Sequence, residues 1–203
     1  MTNGFKNLKA VTDFVDSRVL ELDDDVRAVG WGSQESQELR FDYLIKDFNL
    51  NSKTILDVGC GLGDFLHYLK KSDIKDYQYI GLDISKNMIE SCRERHLQDN
   101  VQFYQGTIFE YDFETIDVAI LSGALSYKYK EATSAAKATL EKMFQLSLEG
   151  VALNFLSTTA DYELEKNQHY DPAIILTWAL NLSKKVSLYH DYPLYEFTIM
   201  LKK

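Results

Sequence analysis

The stretch ILDVGCGLGDF, from Ile55 to Phe65, decides the fold of this 203-residue chain. The apolar run from Thr54 to Val58 predicts a buried strand, which leads through three alternating glycines into a helix. Glycine tolerates positive φ and has no Cβ, so the backbone of such a turn can approach a ligand closely. The stretch therefore predicts one strand–turn–helix unit of an α/β sheet, with a ligand site at the turn.

Two acids flank this turn in the predicted sheet. Asp57 stands near the end of the first strand, and Asp83 ends the second, YIGLDIS. An acid at the tip of the second strand of an open α/β sheet accepts hydrogen bonds from ribose hydroxyls. A dinucleotide fingerprint would have its third glycine where Asp64 stands, and this carboxylate would repel a pyrophosphate. The pattern therefore favours a nucleoside ligand without phosphate.

The motif Asp57-x-Gly59-x-Gly61-x-Gly63, with Asp83 in register, resembles motif I and the ribose-binding acid of the class I S-adenosylmethionine-dependent methyltransferases. The resemblance covers roughly residues 51–156 and continues more weakly to the C-terminus. It implies S-adenosylmethionine as the cofactor, because this molecule carries no phosphate and its cationic sulfonium suits an acidic turn.

The order of the predicted elements agrees with this family's fold. Helices are predicted over 5–20 and 33–48, before the first strand. Strands are then predicted at 54–58, 78–83, 101–105, 116–122, 150–156, 185–190 and 195–202, and helices at 62–71, 85–96, 131–147 and 172–182. A tight turn at Tyr192-Pro193 joins the last two strands, which makes them antiparallel. We expect an α/β, Rossmann-like, seven-stranded, mostly parallel sheet with a C-terminal antiparallel hairpin and an N-terminal helical cap.

The same pattern divides the chain into two parts. We expect residues 1–50 to form a helical cap or lid, and residues 51–203 to form the methyltransferase-like domain as a single compact unit.

Composition limits the classes of partner. The chain has 22 basic and 31 acidic residues, a net charge of −9, which disfavours a nucleic-acid substrate. Its two cysteines are expected to be reduced thiols, and no apolar run is long enough to span a bilayer. We expect a cytoplasmic monomer or homodimer with no nucleic-acid or membrane partner.

The resemblance also implies which residues bind the cofactor. The methionine part of the cofactor would face the turn residues Asp57, Gly59, Cys60, Gly61 and Gly63. Ser122 would also line this part of the site, or else it is an ordinary turn residue at the end of a strand. Asp83 would hold the ribose, and Ile84 would pack on the adenine. Thr107 and Ile108 would hold the other side of the adenine, although the family often has an acid where this chain has Thr107.

Two residues of the predicted cap are further candidates. Arg40 is expected either to pair with the cofactor carboxylate or to be a surface arginine paired with a neighbouring acid. Trp31 lies between two glycines after three aspartates, which predicts a mobile lid over 23–40 whose indole closes on the ligand.

Tyr127 and His190 are the candidate catalytic residues. Histidine titrates near neutral pH, and His190 is predicted at the ligand side of the sixth strand, although it can equally be a hairpin-turn residue. Tyr127 belongs to a group of tyrosines expected to give this edge an aromatic lining. No Cys/His cluster has metal-ligand spacing, and no acid pair follows the fourth strand, so no metal is expected.

The expected function is therefore methyl transfer to an oxygen or nitrogen nucleophile of a small molecule. Two alternatives remain open at this point. One is a regulatory subunit that binds the cofactor but is catalytically inactive. This alternative would agree with the presence of Thr107 where the family often has an acid. The other is a protein or nucleic-acid methyltransferase that needs a partner subunit.

Overall fold

The computed structural model describes residues 4–22 and 33–203 of the chain. Within them, α1 (Leu8–Leu22) and α2 (Gln34–Ile45) precede the first strand. The chain then forms β1 (Thr54–Val58), α3 (Asp64–Lys71), β2 (Gln78–Asp83), α4 (Lys86–Arg95), β3 (Val101–Gln105), β4 (Ile116–Leu121), α5 (Ala132–Leu146), β5 (Ser147–Leu156), α6 (Pro172–Leu182), β6 (Lys185–Tyr189) and β7 (Glu196–Lys202). Each of these elements was predicted, and the predicted ends differ by at most three residues.

The described strands form one seven-stranded sheet in the order β3-β2-β1-β4-β5-β7-β6. The pairs from β3 to β5 are parallel. The last strand, β7, lies between β5 and β6 and is antiparallel to both. The predicted fold class, including the antiparallel C-terminal hairpin, is confirmed.

Both faces of the central strands are buried, as expected for a sheet with helices on each side. Leu56 of β1 joins the core cluster beneath α5 and α6, whereas its neighbour Ile55 joins the cluster beneath α2, α3 and α4. This alternation follows from the two-residue repeat of a strand. It leaves the carboxyl ends of β1, β2 and β4 as the edge at which a ligand site can form.

Helix α1 crosses that edge and is attached at two points, one just before the helix and one near its middle. Near its start, the Phe5 N–H donates to the Lys128 carbonyl at 2.7 Å, in the loop after β4. Further along, the Asp16 carboxylate accepts a hydrogen bond from the Ser85 hydroxyl, at the start of α4. Val15 is buried with Met88 of α4. In the described chain, α1 therefore forms a roof over the ligand edge of the sheet.

Candidate active site

A cavity of about 240 Å³ lies under α1 at the carboxyl ends of β1, β2 and β4. Its wall combines the glycine turn, the ends of β2 and β3, the loop after β4, and residues of α1 and α5. Ten of the predicted site residues line it: Asp57, Gly59, Cys60, Gly61, Asp83, Ile84, Thr107, Ile108, Ser122 and Tyr127. The strand ends thus bring together residues that lie up to 70 positions apart in the sequence.

The first glycine of the turn is required by both its backbone and its surroundings. Gly59 has φ +76°, and a Cβ built on it would lie 2.3 Å from Cβ of Ala124. The N–H groups of Gly59 and Cys60 donate to the Leu82 carbonyl at 2.7 and 3.1 Å, which fixes the turn against β2. Any side chain at Gly59 would displace the loop after β4 from the cavity wall.

Gly63 has a structural role at the start of α3. It is the N-cap of α3, with φ +83°, and an added Cβ would face Nε2 of His96 at 3.2 Å and Sγ of Cys92 at 3.4 Å. It does not belong to the cavity wall formed by the described residues. The third glycine therefore allows α3 to start and to pack on α4, and its contact with the cofactor stays a prediction.

Asp83 is held in a fixed orientation at the tip of β2. Its two carboxylate oxygens accept hydrogen bonds from the Gly61 N–H at 2.9 Å and from the Ser85 N–H at 2.8 Å. Its side chain is buried, and burial raises its pKa. Each carboxylate oxygen has a further lone pair, so this group can still accept from two hydroxyls of a ligand.

Asp57 lies deeper in the same wall. It accepts a hydrogen bond from the Tyr79 hydroxyl at 2.7 Å, and burial raises its pKa to about 7, with smaller contributions from the charges of Asp83 and Asp64. The described cavity wall thus has three carboxylates and no lysine, arginine or histidine. A group of carboxylates of this kind suits a cationic ligand.

The raised pKa of Asp57 gives the ligand-free protein a pH-dependent stability. Because the folded-state pKa of about 7 exceeds the unfolded value near 3.9, the native state binds more protons, and the free energy of unfolding falls as pH rises from about 4 to 7. We expect Asp57→Asn to make this slope shallower, as measured by urea unfolding at several pH values. Tyr79→Phe, which removes the hydrogen bond favouring the ionised form, should keep or steepen the slope. An unchanged slope in Asp57→Asn would contradict the assignment.

The third strand brings Thr107 and Ile108 to the cavity, and Ile108 is buried. The N–H and the hydroxyl of Thr107 both donate to Oε1 of Glu110 at 2.7 Å. An acid is therefore present three residues after the position where the family often has one. Glu110 was not predicted as a site residue, because it lies outside the motif register and the turn after β3 brings its carboxylate back to Thr107.

Ser122 is part of a short network that fixes the loop after β4. Its hydroxyl accepts from Nδ2 of Asn154 at 3.2 Å, and Oδ1 of Asn154 accepts from the Gly123 N–H at 2.8 Å. Asn154 is buried on β5. The side chain of Ser122 is thus fixed in the cavity wall from the neighbouring strand.

The expectation that Arg40 pairs with the cofactor is corrected by the structure. Its Nη2 and Nε donate to the two carboxylate oxygens of Glu196 on β7, at 2.5 and 2.8 Å, and its Nη1 donates to the Ser36 carbonyl at 2.6 Å. Both Arg40 and Glu196 are buried, and neither lines the cavity formed by the described residues. Arg40 therefore fastens α2 to the sheet.

His190 is likewise not part of this cavity. It lies just after β6, is exposed, and has Nε2 3.3 Å from the hydroxyl oxygen of Thr159. The insertion of β7 between β5 and β6 places His190 three strand spacings, about 14 Å, from β4. His190 therefore lies at the same edge of the sheet as the cavity, but beside β6 and too far from β4. Its predicted role as a base at the reacting centre is corrected.

Trp31 and most of the predicted lid lie outside the described residues. Sequence reasoning also missed part of the wall, namely Leu8, Val11 and Val15 of α1, and Gln37 of α2, whose Nε2 donates to Asp64 at 2.8 Å. The helical spacing of the α1 residues was visible in the sequence. The sequence does not indicate, however, that the apolar face of α1 packs over the ligand edge of the sheet and not on the core.

Known methyltransferases resemble this chain in sequence and in fold. Residues 49–188 match the family described as "Methyltransferase domain". A putative methyltransferase of Mycobacterium tuberculosis, Rv1506c, is 30% identical over 158 residues, which cover 74% of this chain and 93% of that protein. The chain belongs to the class I S-adenosylmethionine-dependent methyltransferases. The cofactor of this methyltransferase is S-adenosylmethionine.

Other comparisons cover less sequence or show the fold alone. The chain spans 27% of a phthiotriol/phenolphthiotriol dimycocerosates methyltransferase of Mycobacterium leprae, at 35% identity over 74 residues, or 36% of this chain. The magnesium protoporphyrin IX methyltransferase of Synechocystis PCC 6803, solved with S-adenosylhomocysteine, aligns with a TM-score of 0.72 and 15% identity. That alignment covers 97% of this methyltransferase and 100% of the other chain, and it supports the architecture rather than a shared substrate.

Two further findings concern the described part of this methyltransferase. No helix in residues 4–22 and 33–203 is long and apolar enough to cross a membrane. Over the same residues, no three His, Cys, Asp or Glu side chains are grouped so that they could hold a metal ion.

Proposed function

We propose that this methyltransferase acts on a small molecule and transfers the methyl group to one of its oxygen or nitrogen atoms. The observation that carries the proposal is the cavity of about 240 Å³ roofed by α1. Small-molecule sites enclose roughly 300–1,000 Å³, and this space lies just below that range, which favours a small ligand over a macromolecular substrate.

The residues of the cavity fit the cofactor. Asp83 would accept hydrogen bonds from its ribose, while Ile84 and Ile108 would pack against its adenine. The acidic wall at Asp57 and Asp64 would stabilise its positive charge. When bound, S-adenosylmethionine supplies an electrophilic methyl group on its sulfonium.

The chain's own contribution to the reaction is positioning in a site shielded from water. Holding a nucleophile in line with its target supplies a large part of the rate in such transfers. Burial raises the pKa of Tyr127 above its ordinary value of about 10, so at neutral pH this residue is a hydrogen-bonding phenol and not a base. We propose a reaction that depends on orientation and in which Tyr127 is not the proton acceptor.

Ligand binding to the native state tests the cofactor half of the proposal. S-adenosylhomocysteine at a hundredfold excess over its Kd should add about 2.7 kcal/mol to the free energy of unfolding. For a chain of this size, that corresponds to a rise in melting temperature of roughly 5–10 °C. NAD and ATP should give no comparable rise, because Asp64 stands where a phosphate would bind. A larger rise with NAD would overturn the assignment.

Turnover tests the acceptor half. Transfer of radiolabelled methyl groups to small molecules in a protein-free extract is expected. Cofactor binding without any transfer would favour the inactive regulatory subunit, and transfer only to macromolecules would favour the partner-dependent enzyme. The division into a cap of residues 1–50 and a domain of residues 51–203, and the monomeric or homodimeric state, remain predictions.

A further inference from the structure

Helix α6 differs from the other described helices because it contains no charged side chain. From Pro172 to Leu182 it consists of apolar residues, one threonine and one asparagine. Each of the other described helices carries at least three Asp, Glu, Lys or Arg residues. The outer face of a surface helix is normally polar and charged. The outer face of α6 is therefore unusual for a chain in which 26% of the residues are charged.

The exposed apolar side chains of α6 form one surface. Ile175 and Ala179 are buried against the sheet. On the opposite side, Ile174 and Leu180 are 52% and 53% exposed, and the exposed Thr177 lies between them. Each is three residues from Thr177, which places it about 4.5 Å along the helix and about 60° around it, in opposite directions. We call Ile174, Thr177 and Leu180 the α6 face.

The apolar surface continues beside the α6 face. Trp178 of α6 is only partly buried, and so are Val186 and Leu188 of β6, the edge strand on which α6 packs. A contiguous apolar surface of this kind typically marks a site of protein association.

The α6 face has the arrangement that a two-fold contact requires. Thr177 is the middle residue of α6. When two copies of the helix pack antiparallel about an axis at Thr177, Ile174 of one copy lies at the same level as Leu180 of the other. The Thr177 hydroxyl already donates to the Ala173 carbonyl at 2.8 Å, so its burial at the axis leaves no unsatisfied donor.

The charges at the two ends of α6 favour the antiparallel arrangement. Asp171 is the exposed N-cap, and the exposed Lys184 follows the end of the helix. Antiparallel packing brings Asp171 of one copy towards Lys184 of the other, and it also pairs opposite ends of the helix dipoles. Parallel packing would bring like charges together. Because each copy has a net charge of −9, contact through an uncharged face also reduces the repulsion between copies.

We propose that two copies of this chain associate through the α6 face, packed antiparallel about a two-fold axis at Thr177. In the described structure, no residue from 171 to 182 lines the cavity. The dimer therefore forms without using the cavity wall, and the proposal does not depend on the proposed function.

Sedimentation velocity over a series of protein concentrations tests the association. We expect a reversible dimer, and we expect Leu180→Lys to raise its Kd at least about tenfold, because an apolar contact is lost at two symmetric places. The matched control is Leu97→Lys, in which the same substitution is made at an 82% exposed leucine in the loop after α4. The control should keep the Kd of the unaltered protein, and both variants should bind S-adenosylhomocysteine normally. A protein that stays monomeric at every concentration, or equal losses in the two variants, would overturn the proposal.

Cross-linking tests the position of the axis. In Thr177→Cys the two introduced thiols face each other across the axis, so a short bis-maleimide should join the copies into a covalent dimer. The native Cys60 and Cys92 are buried, and the unaltered protein is the control for their reaction. Leu97→Cys, far from α6 along the chain, should give no covalent dimer. A dimer in which Thr177→Cys fails to cross-link would overturn the two-fold arrangement.

Discussion

Asp83→Ala is expected to weaken the binding of S-adenosylhomocysteine by roughly ten- to a hundredfold, the loss typical of two charge-assisted hydrogen bonds. The effect should be large because the carboxylate is buried and already oriented by the N–H groups of Gly61 and Ser85. Calorimetry on the purified, folded variant measures it. S-adenosylhomocysteine is the better ligand for this comparison, since it lacks the sulfonium charge that any lost acid would affect at long range.

The control for this variant is Asp117→Asn. Asp117 accepts a hydrogen bond from the Thr54 N–H at 2.8 Å, at the opposite end of the sheet from the cavity. This variant removes one negative charge without touching the site, and its affinity should match that of the unaltered protein. Unchanged affinity in Asp83→Ala would remove the assignment of Asp83 as the ribose acid.

Arg40→Met is expected to lower the free energy of unfolding by about 3–5 kcal/mol, the usual result of leaving one member of a buried ion pair without its partner. Glu196 would remain buried on β7 without the two hydrogen bonds that Arg40 donates. Urea unfolding followed by circular dichroism measures the change. The double variant Arg40→Met/Glu196→Gln should recover much of the loss, because the uncompensated charge is then absent.

Lys53→Met is the matched control, because it breaks an ion pair that water can reach. Lys53 pairs with Glu149, and both side chains are about a third exposed. Removing such a pair typically changes the stability by less than about 1 kcal/mol. Similar losses in Lys53→Met and Arg40→Met would show that burial does not set the energy of the Arg40 pair.

The fold was predictable because its signals are local. Leu56 and Ile55 face opposite sides of the sheet because side chains alternate along a strand, and the apolar residues of α1 follow the helical repeat. Both patterns can be recognised in a short stretch of sequence. The glycine turn was equally accessible, since Gly59 and Gly61 require their residue type for backbone reasons that act at one position. The acid at Asp83 could be placed because parallel strands end at the same edge of a sheet.

The errors concern residues whose surroundings are set by distant parts of the chain. Arg40 pairs with a residue 156 positions away, and no local pattern identifies Glu196 as its partner. The distance of His190 from the cavity depends on the order of the strands in the sheet, and the alternation of residues along a strand does not predict that order. The roof formed by α1 depends on contacts of Asp16 and Phe5 with loops that follow two different strands.

The insertion of β7 between β5 and β6 has a consequence for how the protein reaches its native state. Until Glu196–Lys202 is available, β6 has no neighbour in the sheet and β5 presents an open edge. Unpaired strand edges are the usual starting points for aggregation. The seventh strand to be synthesised thus completes the sheet and also carries Glu196, the partner of Arg40. Pairing of this strand therefore completes the sheet and supplies the buried carboxylate to which Arg40 of α2 donates.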